Sequence, residues 1–146
     1  MKRVFLMQGC SGSGKSTIVE ALEYAFGVEE VVAVVSADHY WYLNDSSKYD
    51  FKISELGKAH KWAQTNTKKY MEKETPTIII DNTNINQRSA QPYIDMAKEY
   101  GYEVRVVRVD CNIDVAKKYN SQRSEDRIIP EHVIDRQYNS IERVEL

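Results

Sequence analysis

The chain has 146 residues, 42% hydrophobic and 29% charged, with a formal net charge of −2. These values fit one globular domain (residues 1–146) able to bury its own core, and exclude a disordered or repetitive polymer. They also exclude a global basic field for nonspecific nucleic-acid binding, though a local basic groove stays open.

In chain order, "RVFLMQ" (3–8) is a continuous apolar run ending in Gly9 and reads as a buried strand. The run is too short for a signal peptide, and no stretch is apolar enough to span a membrane. From Lys15 to Phe26, Ile18, Val19, Leu22 and Ala25–Phe26 recur at helical spacing, with Gly27 as the stop. "VVAVVSA" (31–37) reads as a second strand. Over 53–73, Ile53, Leu56, Ala59–His60, Ala63, Thr67 and Tyr70–Met71 share one helical face. "TIIID" after Pro76 is a third strand, 86–100 a helix closed by Gly101, and "EVRVVRV" (103–109) a fourth strand nearer a sheet edge. The remainder reads as helix, broken at "SEDRIIP", with Pro130 opening the last one. Strands alternating with helices predict a parallel sheet covered on both faces, with ligands at the strands' carboxyl ends. Asp38 and Asp81 both fall there.

"GCSGSGKST" carries G-x-x-x-x-G-K-[ST], a phosphate-binding P-loop. Gly9, Gly12 and Gly14 let the backbone turn its N–H groups inward. Ser13 and Thr17 belong to the same cradle. Lys15 supplies a point charge for the β- and γ-phosphates of ATP, and Ser16 offers a hydroxyl to Mg²⁺. Asp81, ending the third strand, is the second candidate Mg²⁺ ligand. Cys10 reads as a small spacer in this loop. Cys10 and Cys111 fit no metal spacing and suggest free thiols in a cytoplasmic protein.

What attacks the γ-phosphate separates P-loop proteins. A GTPase needs N-K-x-D and D-x-x-G, and a transporter ATPase an L-S-G-G-Q type signature; none occurs here. Helicase and ring-ATPase cores are usually longer than this chain. A carboxylate after the second strand and a late arginine-bearing segment point instead to a kinase. Asp38 then accepts the proton of an incoming hydroxyl. Arg123, in "NSQRSEDRIIP", spreads transition-state charge from a lid at about 119–130, with Arg127 in reserve. Without that role, the pair is a solvated helix end.

"GCSGSGKST", "SADHYW", "YDF" (49–51), "AHKW", "IIIDNTNIN", "AKEYGYEV" and "YNSQR…IIPEHVI" occur in one order. In these pieces the chain resembles the kinase domain of phage-type polynucleotide 5′-kinases and the Nedd4-binding-protein-2-like family. The resemblance implies an α/β P-loop kinase fold: a three-layer αβα sandwich with a parallel sheet of about 4–5 strands and a C-terminal helical lid. It implies transfer of the ATP γ-phosphate to a hydroxyl, in polynucleotide kinases the 5′-OH of DNA or RNA. It maps phosphate and Mg²⁺ binding onto Lys15 and Ser16, the base onto Asp38 and the lid arginine onto Arg123. It places Asp81, Asn82, Thr83 and Asn84 along the floor of the acceptor and metal site.

One departure stands out. Phage-type kinases carry an arginine three residues after the base, gripping the phosphate beside the acceptor; here that position is Trp41. Either another residue, with Arg88 a candidate, grips the acceptor, or the acceptor differs. Trp41 and its aromatic neighbours either stack on a nucleobase or pack into the core. Trp62 reads as core, and His60 as a packing or hydrogen-bonding residue. Three readings follow: a kinase of nucleic acids or nucleotides, a kinase of a small metabolite or hydroxymethylated base, and an ATP-binding regulator without transfer.

Overall fold

A computed structural model describes all residues from Met1 to Leu146. Four strands, β1 (Arg3–Gln8), β2 (Val32–Val35), β3 (Thr77–Ile80) and β4 (Glu103–Arg108), form one sheet in the order β2-β3-β1-β4. Every pairing is parallel, with Arg3 opposite both Thr77 and Glu103, and Val32 opposite Thr77. The helices are α1 (Lys15–Gly27), α2 (Leu56–Glu72), α3 (Gln87–Tyr100), α4 (Ile113–Ser121) and α5 (Glu131–Ser140). This is the α/β P-loop kinase-type fold, with four strands, and β4 lies at an edge as its charged alternation suggested.

The two-residue period of a strand sorts the core between faces. Val4, Leu6, Ile78 and Ile80 point one way, against Ala59, Ala63 and Met71 of α2 and Ala90, Ile94 and Ala97 of α3. Phe5, Met7 and Ile79 point the other way, against Val19, Leu22 and Phe26 of α1. Each fully buried large side chain contributes about 1.5–3 kcal/mol of transfer free energy. The continuous apolar runs in β1 and β3 follow from their position as the central pair, buried on both faces.

Several expectations are corrected. Residues 141–146 carry no helix. They cross beside β1 and α3, where Glu142 N–H donates to Ile85 O (2.7 Å) and Gln87 bonds the backbone of Glu145. His60 is exposed, because one residue along a helix turns the side chain about 100° away from buried Ala59. Ile53 is 80% exposed, since it lies in a 3₁₀ turn (Ile53–Glu55) ahead of α2 and out of its phase. Gly27 is the last residue of α1 without a left-handed conformation, whereas Gly101 (φ 75°) does close α3 in that way. No helix is long and apolar enough to cross a membrane.

Candidate active site

The carboxyl ends of the strands converge on one cleft. β1 runs into the loop 9–14, and Gly14 adopts a left-handed conformation (φ 95°) as N-cap of α1, without a side-chain cap. The first turn of α1 holds no acidic residue, so its N–H groups and positive dipole end stay available to an anion. A Cβ built on Gly14 meets nothing within 4 Å, so it would enter the open cradle. Gly9 and Gly12 are required for another reason, close packing. Their Cβ positions would lie 2.8 Å from Val109 O and 2.2 Å from Ala116 O.

Lys15 Nζ donates to the carbonyls of Gly9 and Cys10, each at 2.9 Å. Burial pushes its ammonium below the ordinary lysine range, while the charge of Asp81 pulls it back up. Ser13 Oγ is buried with no partner, a donor left over inside the loop. Ser16 and Thr17 are exposed at the start of α1. An unpaired hydroxyl, an open glycine, a buried ammonium and an uncapped helix end fit a polyphosphate.

Asp81 follows β3, and its N–H bonds Val35 O at 2.8 Å. Burial raises its carboxyl above the ordinary range, Lys15 opposes this, and the charge of Asp38 adds to it. Asp38 sits in a 3₁₀ turn, Ala37–Tyr42, whose N-cap Ser36 accepts from Asp38 N–H (3.1 Å). Its side chain is 52% exposed. It is therefore turned out of the interior, and its charge bears on both Lys15 and Asp81.

The arginines enter from the segment after α4. Arg127 approaches Asp38 Oδ2 at 3.9 Å, and its Nε is buried without a partner. Arg123 makes no ion pair. Burial and the neighbouring Arg127 lower its guanidinium below the usual value, and Asp38 offsets part of this. Lys15, Asp38, Asp81, Arg123 and Arg127 thus form one electrostatic unit.

Other expected site residues are placed elsewhere. Trp41 is 3% exposed within the main core, edge-on to Tyr40 (5.1 Å) and Phe51 (4.9 Å), so its ring has no free face for a nucleobase. Trp62 packs against the same core. "DNTN" is a brace more than a floor. Asn82 Oδ1 accepts from Ala37 N–H (2.9 Å), and its amide donates to Tyr93 OH (3.3 Å). Thr83 O accepts from Gly9 N–H (3.0 Å). Asn84, 3% exposed, donates to Met7 O (2.7 Å) and takes Gln8 Nε2 on its own carbonyl (3.0 Å). The segment ties the β1 loop to the turn after β2. Asn84 is therefore buried, its amide bonded to the backbone of β1. Arg88 is exposed in the first turn of α3, with no ion pair and no contact to Asp38.

Two features escaped sequence reasoning. Tyr49 OH donates to Asp38 Oδ1 at 3.1 Å, a pairing across a loop that no spacing announces. Cys10 and Cys111, far apart in the chain, meet in a cluster with Ala116 and Ile134. Both are free, and burial, then the nearby Cys10, raises the Cys111 thiol.

No group of three or more His, Cys, Asp or Glu side chains forms a metal cage. Mg²⁺ fits such a place when phosphate and water complete its octahedron around one or two protein oxygens. The two oxygen donors expected from the sequence are Ser16 at the start of α1 and Asp81 after β3.

A family model described as an AAA domain matches residues 4–144. NEDD4-binding protein 2 of Homo sapiens is 37% identical over 101 residues, which cover 68% of this chain and 5% of that protein. The chain thus spans about a twentieth of that relative's length. Among solved structures, a chain of the Pnkp1/Rnl/Hen1 RNA repair complex superposes with a TM-score of 0.74 at 21% identity, covering 96% of this chain and 44% of that one. A gluconokinase from Sinorhizobium meliloti superposes with a TM-score of 0.64 at 14% identity, covering 97% and 75%. At these identities the two structures establish the fold.

Proposed function

The chain belongs to the AAA-domain family whose model it matches over residues 4–144, and on that premise we propose that it is an ATP-dependent kinase. The acceptor is a hydroxyl of a nucleic acid or nucleotide, foremost the 5′-OH of a polynucleotide. The observation that carries this reading is the half-exposed carboxylate of Asp38 at the mouth of the phosphate cradle, its charge felt by Lys15 and Asp81.

In this reading the acceptor oxygen bonds the γ-phosphorus while the bond to the β–γ bridging oxygen breaks, releasing ADP. The hydroxyl proton passes to Asp38. Because phosphoryl transfer is largely dissociative, Asp38 orients the hydroxyl first and takes the proton late, which an ordinary carboxylate can do. Lys15 exchanges its two carbonyl partners for the β- and γ-oxygens. Segment 119–130 acts as a lid, with Arg123 on the transferring group, where a positioned donor in a dry site contributes most. Ser16 and Asp81 would hold Mg²⁺, which would supply neutralisation of the phosphate charge.

A second reading is favoured by Trp41. With that side chain in the core, no guanidinium stands three residues after the base to grip a phosphate beside the acceptor. A small hydroxyl compound then becomes the acceptor, and the fold shared with a gluconokinase is compatible with it.

The test is γ-labelled ATP offered with 5′-OH oligonucleotides of DNA and RNA, and separately with pooled nucleosides and sugars. Label on an oligonucleotide, abolished by Asp38→Asn with ATP affinity kept, supports the first reading. Label on a pooled small molecule alone selects the second. ATP binding without transfer to anything rejects both.

A further inference from the structure

Tyr49 lies in the loop joining the 3₁₀ turn of Asp38 to α2, and nothing in the reaction assigns it a task. Its hydroxyl donates to Asp38 Oδ1 at 3.1 Å, while Arg127 lies 3.9 Å from Oδ2. Each oxygen of one carboxylate thus has its own partner, from two separate parts of the chain. The guanidinium of Arg127 also sits over the Tyr49 ring, 5.5 Å from its centre. The ring is itself fixed, stacked on Phe51 (6.5 Å, 9° between planes) and 5.5 Å from Tyr42.

The two holds differ in strength. A half-exposed ion pair at 3.9 Å is screened by water and contributes little orientation. A phenol donates close to its ring plane, and with the Tyr49 ring packed against Phe51 and Tyr42 its hydroxyl is kept beside Oδ1, where it restrains rotation of the carboxylate. A carboxylate oxygen accepts more than one hydrogen bond, so Oδ1 and Oδ2 keep lone pairs for an incoming hydroxyl.

We propose that Tyr49 is the positioning residue of Asp38, aiming the carboxylate at the acceptor hydroxyl, with Arg127 closing the other side when its segment is docked. This rests on the reading of Asp38 as the base. Tyr49 acts through Asp38 and need not touch nucleotide.

The experiment uses Tyr49→Phe, which keeps the stacked ring and deletes only the donor. With the best acceptor found, kcat falls about 10-fold while KM for ATP is unchanged, and in an Asp38→Ala background the same substitution has no further effect on the residual rate. A second, activity-independent cycle reads the denaturant midpoint. Tyr49→Phe lowers it in the wild-type background and leaves it unmoved beside Asp38→Ala. Full kcat in Tyr49→Phe, or equal midpoint shifts in both backgrounds, overturns the role of Tyr49 alone. Failure of the wild-type chain to transfer phosphate to any acceptor instead sinks the kinase reading, and with it the reason for aiming Asp38.

Discussion

Gly12 lies so close to α4 that a Cβ on it would stand 2.2 Å from the carbonyl oxygen of Ala116. The phosphate loop is therefore packed against backbone, which cannot rotate away as a side chain would. Gly12 also holds φ 78°, where an L side chain is strained by about 1–3 kcal/mol. Gly12→Ala should lose at least that much stability, and its loop should bind ATP poorly. Gly14→Ala carries the same kind of strain (φ 95°) but meets open space. It should lose stability through backbone strain alone, about 1–3 kcal/mol and less than Gly12→Ala, and lose nucleotide affinity out of proportion. Denaturant melts with ATP titrations of both variants check the contrast, and equal losses in both would refute it.

Burial works against the charged form of Asp81. Burial raises its carboxyl above 3.8, so across the pH range just above 3.8 the folded state binds more protons than the unfolded one, and stability falls as pH rises. Above the raised folded value the penalty is complete. Below 3.8 both states are protonated and it vanishes. Asp81→Asn should therefore stabilise the nucleotide-free protein at pH 7. The gain should shrink toward zero as pH drops to 3.8. The same variant should bind ATP with Mg²⁺ less tightly, the usual exchange of stability for function. Melts at several pH values would contradict this if the gain were absent at pH 7 or grew in acid.

Trp41→Ala should cost about 3–5 kcal/mol, the range for emptying a large aromatic from a packed core. Phe51, 49% exposed, should cost much less when changed to Ala. Were Trp41 a stacking platform for a base, the order would reverse, with little stability lost at Trp41. Unfolding followed by far-ultraviolet circular dichroism decides between them.

Much of this architecture was legible because it rests on local rules. Continuous apolar runs marked β1 and β3, which is what burial on both sheet faces selects. Gly9, Gly14 and Lys15 marked the cradle, since few backbones turn N–H groups inward otherwise. What stayed hidden depends on where loops return. Trp41 sits in a polar stretch, and only the cover of α2 and Phe51 makes it core. Asn84 looked like an acceptor residue, yet a left-handed φ of 44° turns its amide inward to Met7 O. Tyr49 meets Asp38 across 11 residues of irregular chain, a distance at which no helix or strand period operates.

Arg123 and Arg127 differ in surroundings that sequence spacing could not distinguish. Arg127 is engaged with Asp38 and Tyr49, whereas Arg123 is half-buried, unpaired and repelled by Arg127. In the proposed reaction that unpaired guanidinium is the one placed on the transferring phosphoryl group. Arg123→Ala should leave the melting midpoint of the free protein unchanged or slightly raised, because a repulsion and a buried charge are both removed. In the transfer reaction it should lower kcat by about 100-fold or more, the scale for a donor aimed at transition-state charge. Arg127→Ala should cost less in kcat and should soften its dependence on Tyr49, since the two share one carboxylate. Single-turnover rates for the two variants, measured beside their melts, reverse the assignment if Arg127 carries the larger loss.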